Sequence, residues 1–353
     1  MSNEHLTARE QQVLEAVIHS FVETAEPAGS RTIARRYNLG VSAATIRNTM
    51  SDLEERGYLY HPHTSAGRVP TDLAYRFYVD MLMERDLPSE IEHDQLRREL
   101  TSDRTAIENL LERAAQVLGM LTQELGLAVA PAFTNAVLER LQLLEAGAGR
   151  LLMVLSLRGG AARTLFIEVA SDLPRASIAG VALVLNDRLS GLTLQEIRRT
   201  LRQRLRDAGR DRDERELLNV FIEEADQLFE IGGPRNEVLL GSTKMLTEQP
   251  EFASNEQMRG LLEITERRDL LRGALRARKS PGLTITIGGE NVDPRFNTYT
   301  IVTSRYEFGS FAGTIGVMGP TRMPYQKVIT MVEHTSRLLN DLLRGGHPAA
   351  LDS

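Results

Sequence analysis

Arg47 and Asn48 stand side by side in a segment, 42–56, whose other members include Ala43, Ala44, Thr45 and Ser51. A guanidinium fork donates two hydrogen bonds to the O6 and N7 edge of guanine, and a carboxamide pairs in the same way with adenine. Set at about 100° per residue, Ala44, Arg47, Asn48 and Ser51 share one side of a helix, with Thr45 and Glu55 at its margins. Ile46, Thr49, Met50 and Leu53 share the other. Such a helix docks by its apolar side and offers small or hydrogen-bonding groups that a major groove admits. A three-helix unit whose polar face meets only water would phase identically, so the flanking elements must decide.

Thr7 and Glu10, three apart, form a capping box that opens a helix. Val13, Leu14, Val17, Ile18 and Phe21 then repeat at helical spacing, and Pro27 and Gly29 end the run. Ser30 is expected to cap a short second helix through Tyr37, with Ile33 and Ala34 inward. Residues 38–41 make a turn, Ser42 caps the third helix, and Gly57 ends it. Tyr58, Leu59 and Tyr60 on one side, and Arg68, Val69 and Pro70 on the other, flank a polar loop, so two short strands form a wing. Pro62 and Pro70 confine it to a small edge ribbon. His63, Ser65 and Arg68 offer an imidazole, a hydroxyl and a guanidinium to phosphates or a minor groove. His61 and His63 are also potential metal ligands, but no third ligand lies near them in sequence.

Charge favours the first reading. Between Pro27 and Arg76 there are seven arginines, no lysine and four acids, a local surplus of three in a chain of net charge -6. That fits placed contacts more than bulk attraction to a polyanion. Composition also excludes classes of chemistry. With no cysteine, thiolate nucleophiles, disulfides and Cys-ligated metal centres are ruled out. The seven histidines never fall four apart. Gly147–Gly149 and Gly288–Gly289 lack the spacing of either nucleotide-binding fingerprint, so no enzyme and no cofactor are expected. Gly319-Pro320-Thr321-Arg322 reads as an anion loop or, more simply, a tight turn before the last helix. No apolar run is long enough for a membrane span and no export signal is visible, so a cytoplasmic protein is expected.

Three stretches carry a resemblance: residues 26–31 (Glu-Pro-Ala-Gly-Ser-Arg), 42–48 (Ser-Ala-Ala-Thr-Ile-Arg-Asn) and 62–71 (Pro-His-Thr-Ser-Ala-Gly-Arg-Val-Pro-Thr). Together with Tyr75–Asp80 they resemble the HrcA family of heat-inducible transcription repressors. Stretches 185–193, 249–252 and 313–323 extend the resemblance over nearly the whole chain, and Ala74 stands where a glycine is usual. The resemblance implies a homodimer on an inverted-repeat double-stranded operator called CIRCE, upstream of groE- and dnaK-type operons, with activity modulated by the GroE chaperonin. It also implies a GAF-like domain interrupted by a dimerising insertion. Base contacts are then expected from Ala44, Thr45, Arg47 and Asn48, with backbone contacts from Arg31, Arg35, Ser42 and Arg68. Ser51, His63 and Ser65 complete the candidate set. The alternative is a winged-helix repressor governed by a small-molecule effector in the GAF-like domain.

Elsewhere periodicity sets the outline. Leu96 to Leu125 reads as one long amphipathic helix, either core or, through 100, 107, 114 and 121, a heptad seam. Strands are expected at 127–130, 137–144, 151–157 and 164–169, then helices at 194–205, 217–229 and 258–275. A strand is possible at 238–240, and 202–215 reads as a solvated connection. Strands return at 283–287, 299–304 and 313–318 before a closing helix, about 325–343. The expected class is α+β: a winged helix-turn-helix at 1–80, a linker at 81–94, a GAF-like domain at 95–172 and 283–344, an inserted dimerising domain at 173–282, and a mobile tail at 345–353.

Overall fold

The computed structural model describes all residues except 1–5, 64–66, 84–86, 102–106, 132–134, 148, 161, 170–172, 230–237, 277–281, 310 and 345–353. Ser65 and the 345–353 tail therefore lie outside the described residues. Among the described residues no helix is long and apolar enough to cross a membrane.

The N-terminal unit contains α1 (Ala8–Thr24), α2 (Ser30–Arg36) and α3 (Ala43–Glu55). A two-stranded antiparallel ribbon follows, β1 (Leu59–Tyr60) with β2 (Val69–Pro70), and then α4 (Asp72–Phe77), which continues as a π-helical turn over Tyr78–Leu82. The Thr7–Glu10 capping box is present. The second helix is capped by Gly29, and Ser30 is its first, buried residue. The π-helical turn crosses the boundary expected at residue 80, and helix resumes at Glu90 inside the expected linker.

The expected helix over 96–125 is two helices, α5 (Glu90–Thr101) and α6 (Ile107–Thr122), packed on each other. The 100, 107, 114, 121 register is therefore split between them, and Leu100 and Ala114 are buried in the chain's own core. Gln123 at φ 61° ends α6, and the chain turns into β3 (Leu125–Val129).

Next come β4 (Leu138–Glu145), β5 (Arg150–Leu157), β6 (Ala162–Glu168), α7 (Arg175–Leu189), α8 (Leu194–Leu205), α9 (Arg212–Glu223) and α10 (Ala225–Phe229). The three strands pair antiparallel in sequence order. Their inward residues, among them Leu141, Met153 and Ile167, share a core with Val181, Leu185, Ile197 and Phe221 from the helices. The expected solvated connection at 202–215 is mostly helical: α8 runs through Leu205, and Asp211 caps α9.

The remaining elements are β7 (Val238–Leu240), α11 (Lys244–Thr247), a 3-10 turn at Pro250–Phe252, α12 (Asn255–Glu266), α13 (Arg268–Arg276), β8 (Leu283–Ile287), β9 (Tyr299–Phe308), β10 (Phe311–Pro320) and α14 (Tyr325–Arg344). The helix expected at 258–275 is interrupted at Arg267. Five strands form an all-antiparallel sheet in the order β7-β3-β10-β9-β8. Side chains alternate across it with period two. Ala128, Val302, Ile315 and Val317 meet α6, α14 and the N-terminal helices, while Leu125, Leu127, Ile301 and Met318 meet α12 and α13.

The cores therefore divide the chain differently from the expected breaks at 172/173 and 282/283. Residues 136–229 close their own core, and β7 with α11–α13 returns to the large sheet. Alternating hydrophobicity shows that one strand face is buried, not which layer covers it. The class is α+β.

Candidate nucleic-acid interface

Helix α3 is held by both ends and one face. Ser42 Oγ accepts a hydrogen bond from the Thr45 amide at 3.1 Å and lies 3.0 Å from Thr45 Oγ1. Ile46, Met50 and Leu53 are buried against Val13, Val17 and Ile33, and Thr49 Oγ1 turns back to donate to the Thr45 carbonyl at 3.1 Å. Gly57, at φ +80°, carries the chain out of the helix in a conformation that L-residues rarely adopt. The opposite side presents exposed Ala44, Arg47 and Asn48, with Thr45 and Ser51 half-buried beside them. Arg31 and Arg35 are exposed on the neighbouring α2.

The ribbon is fastened to this unit at several points. Ala28 and Arg68 exchange backbone hydrogen bonds at 2.8 and 2.9 Å. Gly67 lies so close to that strand that a Cβ there would sit 2.4 Å from the Ala28 carbonyl group. Thr71 Oγ1 donates to the Gly57 carbonyl at 2.8 Å. At the end of α3, Glu54 accepts from Arg68 Nη2 at 2.8 Å and lies 2.7 Å from His61 Nδ1. Arg68, expected as a free cation for the backbone, is thus only 13% exposed and ion-paired. His63 is exposed on the loop.

Glu10 links α1 to α3, taking Arg56 Nη1 at 2.9 Å and the Thr7 amide at 2.7 Å. Burial raises its carboxyl, but the bonds from Thr7 and Arg56 outweigh it and hold the group below its ordinary range. Glu54 and Arg56 are the members that sequence reasoning missed, and Glu10 was legible only as a helix cap. Their partners lie between 3 and 46 residues away, and only the Thr7–Glu10 box has a sequence signature.

Two other sequence candidates resolve differently. Arg322 of the 319–322 loop gives its guanidinium to Glu251 and to the Val22 carbonyl at the end of α1, so it fastens the N-terminal unit to the large sheet. The ring of His61 is engaged by Glu54, and no group of three His, Asp or Glu among the described residues could hold a metal.

A helix with an exposed polar side and a fastened ribbon, carried on a larger α+β body, is the frame of this site, and the relatives that share it over their length are transcription repressors. Residues 108–329 match the family model of the HrcA protein C-terminal domain. The heat-inducible transcription repressor HrcA of Chlorobium phaeobacteroides (strain BS1) is 39% identical over 349 residues, covering 96% of this chain and 98% of the relative. That of Chlorobaculum tepidum is 37% identical, covering 98% and 100%. A crystal structure of a hypothetical protein at 2.2 Å resolution shares the fold at a TM-score of 0.73 and 22% identity, over 97% of this chain and 99% of that one. The chain belongs to the HrcA family.

Proposed function

We propose that the chain is a homodimeric winged-helix repressor of groE- and dnaK-type chaperone operons, acting in the cytoplasm on a CIRCE-type inverted repeat. Each α3 enters the major groove of one half-site. A two-fold dimer matches a palindrome geometrically, one reading helix per half-site.

One observation carries the DNA reading. The seven arginines between residues 27 and 76 sort into two sets. Arg36, Arg56, Arg68 and Arg76 are paired with Glu23, Glu10, Glu54 and Glu290. Arg31, Arg35 and Arg47 are exposed, and their side chains enter no hydrogen bond or ion pair among the described residues. The three guanidiniums left without a carboxylate partner thus all stand on α2 and α3. Arg47, Asn48, Ala44 and Thr45 read bases on this proposal. Arg31, Arg35, Ser42, Ser51, His63 and Ser65 meet the backbone, and Arg68 acts from behind the loop.

The dimerising contact is assigned to the unit formed by residues 136–229, inserted into a GAF-like domain made of the large sheet and its helices. Leu144, Leu152 and Phe166 lie opposite one another on β4, β5 and β6, on the face turned away from that unit's core. Leu144 and Phe166 are 50% and 64% exposed. Heat releases the operons as GroE chaperonin, needed to reach the DNA-competent form, is drawn to unfolded clients. Such control requires that form to be marginally stable, because a kcal/mol or two then changes its population several-fold.

Control by a small effector is the second reading. A cavity of about 360 Å³ opens between α1 and α14, lined by Val22, Tyr78, Met323 and Lys327 among others. Two pairs of its polar groups already meet, Lys327 with Glu92 at 3.2 Å and His19 with Tyr78 at 3.4 Å, so this reading stands second.

Fluorescence anisotropy with a CIRCE-type repeat and a scrambled duplex, at two salt concentrations, tests the proposal. Selective binding of one dimer per repeat is expected. Equal weak binding to both duplexes by folded dimer would refute this operator assignment.

A further inference from the structure

We propose that Glu54 is a positioning residue for operator recognition: its one carboxylate clamps both flanks of the ribbon loop to the end of the reading helix. The inference rests on the DNA-binding reading and deepens it. Glu54 is the penultimate residue of α3. One of its oxygens lies 2.7 Å from His61 Nδ1, just after β1, and the other 2.8 Å from Arg68 Nη2, just before β2. The two oxygens therefore grip the two ends of the 61–68 loop.

A clamp is needed because the ribbon is too short to place itself. β1 and β2 pair over only two residues each, and an isolated two-stranded ribbon is marginal in water even when longer. On one side it is fixed by the Ala28–Arg68 bridge and the close approach of Gly67. Glu54 supplies the fixing point on the helix side. Arg68 is largely enclosed there: its side chain is 13% exposed, Nη2 reaches Glu54, and its buried Nε has no hydrogen-bond partner among the described residues. Without the carboxylate the guanidinium must leave the site or stay poorly satisfied, and the ribbon loses its register against α3. Binding would then have to fix the ribbon in place, which weakens affinity without removing the groups assigned to base reading. Glu54 shares the Arg47 side of α3 but stands two turns further along, and its carboxylate is taken up by His61 and Arg68.

The sign of the effect separates a clamp from a simple charge. Removing an acid beside a phosphate backbone strengthens binding if charge alone matters. The clamp requires the opposite. In full-length protein Glu54→Gln should lower affinity for the inverted repeat about tenfold, leaving the preference for repeat over scrambled duplex in place. In an Arg68→Ala background the same change should cost less than about twofold, because the coupled partner is gone. The Ala28 and Arg68 amides should exchange hydrogen faster in Glu54→Gln, while the buried amides of α1 and α14 keep their rates. Equal or tighter operator binding by Glu54→Gln overturns the clamp and leaves the DNA reading intact. Accelerated exchange throughout the chain would make Glu54 a general fold residue and also overturns it. Wild-type protein that ignores the repeat removes the underlying reading, and the inference with it.

Discussion

Among the arginines near α3, the decisive property is whether an acid already holds the guanidinium. Arg47 is exposed and enters no ion pair among the described residues, so a base edge would be its first strong partner. Arg47→Ala should cost about 1–3 kcal/mol of operator affinity and relax specificity at one position of each half-site. Anisotropy against a panel of single-position operator variants measures both, and an unchanged profile would remove Arg47 from the contact set. The exposed half of α3 was legible in the sequence because helical phasing sorts side chains without reference to anything else. Arg68 was not. Its sequence neighbours place it on a polar loop, and only the folded chain brings Glu54 within 2.8 Å. An arginine's charge is visible in a sequence; whether that charge is already spent on a carboxylate is not.

Elements were legible where their own residues specify them, and less so where a neighbour does. The caps at Thr7 and Ser42 and the apolar faces of α1 and α3 follow from local spacing. The separation of α5 from α6 does not, because residues 102–106 contain neither glycine nor proline to punctuate the repeat. Gly126 directly follows the helix expected over 96–125, yet it lies within β3, where a Cβ would fall 1.8 Å from the Ala115 carbonyl oxygen of α6. The glycine is there so that the strand can run directly beneath the helix. Gly126→Ala must push α6 off the sheet, which predicts a loss of about 1–3 kcal/mol, the usual cost of overpacking. Urea melts would show it as a lower midpoint with unchanged slope. A midpoint equal to that of wild type would mean the contact relaxes freely.

For the whole molecule the question is how the N-terminal unit is joined to the sheet, and how two chains would meet on the proposed dimer. Arg76 reaches Glu290 at 2.7 Å and the Ile285 carbonyl at 2.9 Å, and the Gly289 amide donates to Asp72 at 2.9 Å. Burial raises the Glu290 carboxyl, but Arg76 and the Ile287 amide together hold it below its ordinary value of 4.5. A depressed carboxylate stabilises the fold above its unfolded pKa, and that contribution fades as pH falls through the folded one. Glu290→Gln should therefore be less stable than wild type by about 1 kcal/mol at neutral pH, a small figure because the pair is partly exposed. The gap should close below about pH 4.5, the ordinary value; a gap independent of pH in paired melts would deny the latch its charge. The limits of the 136–229 unit were not legible, since its strands alternate like those of the large sheet and differ only in what covers them. That difference also leaves one sheet face open. Phe166 is 64% exposed with the Arg150 guanidinium 5.8 Å from its ring centre, and Leu152 and Leu144 continue the same cross-strand row. If this face joins two copies, a carboxylate at 166 would put a charge into an apolar contact with only Arg150 beside it. Phe166→Asp should then sediment as a monomer at micromolar concentration. It should lose most of its affinity for the full inverted repeat, because one reading helix forgoes the second half-site, while a single half-site is bound as weakly as by wild type. A Phe166→Asp protein that remained dimeric would move the interface elsewhere on the molecule.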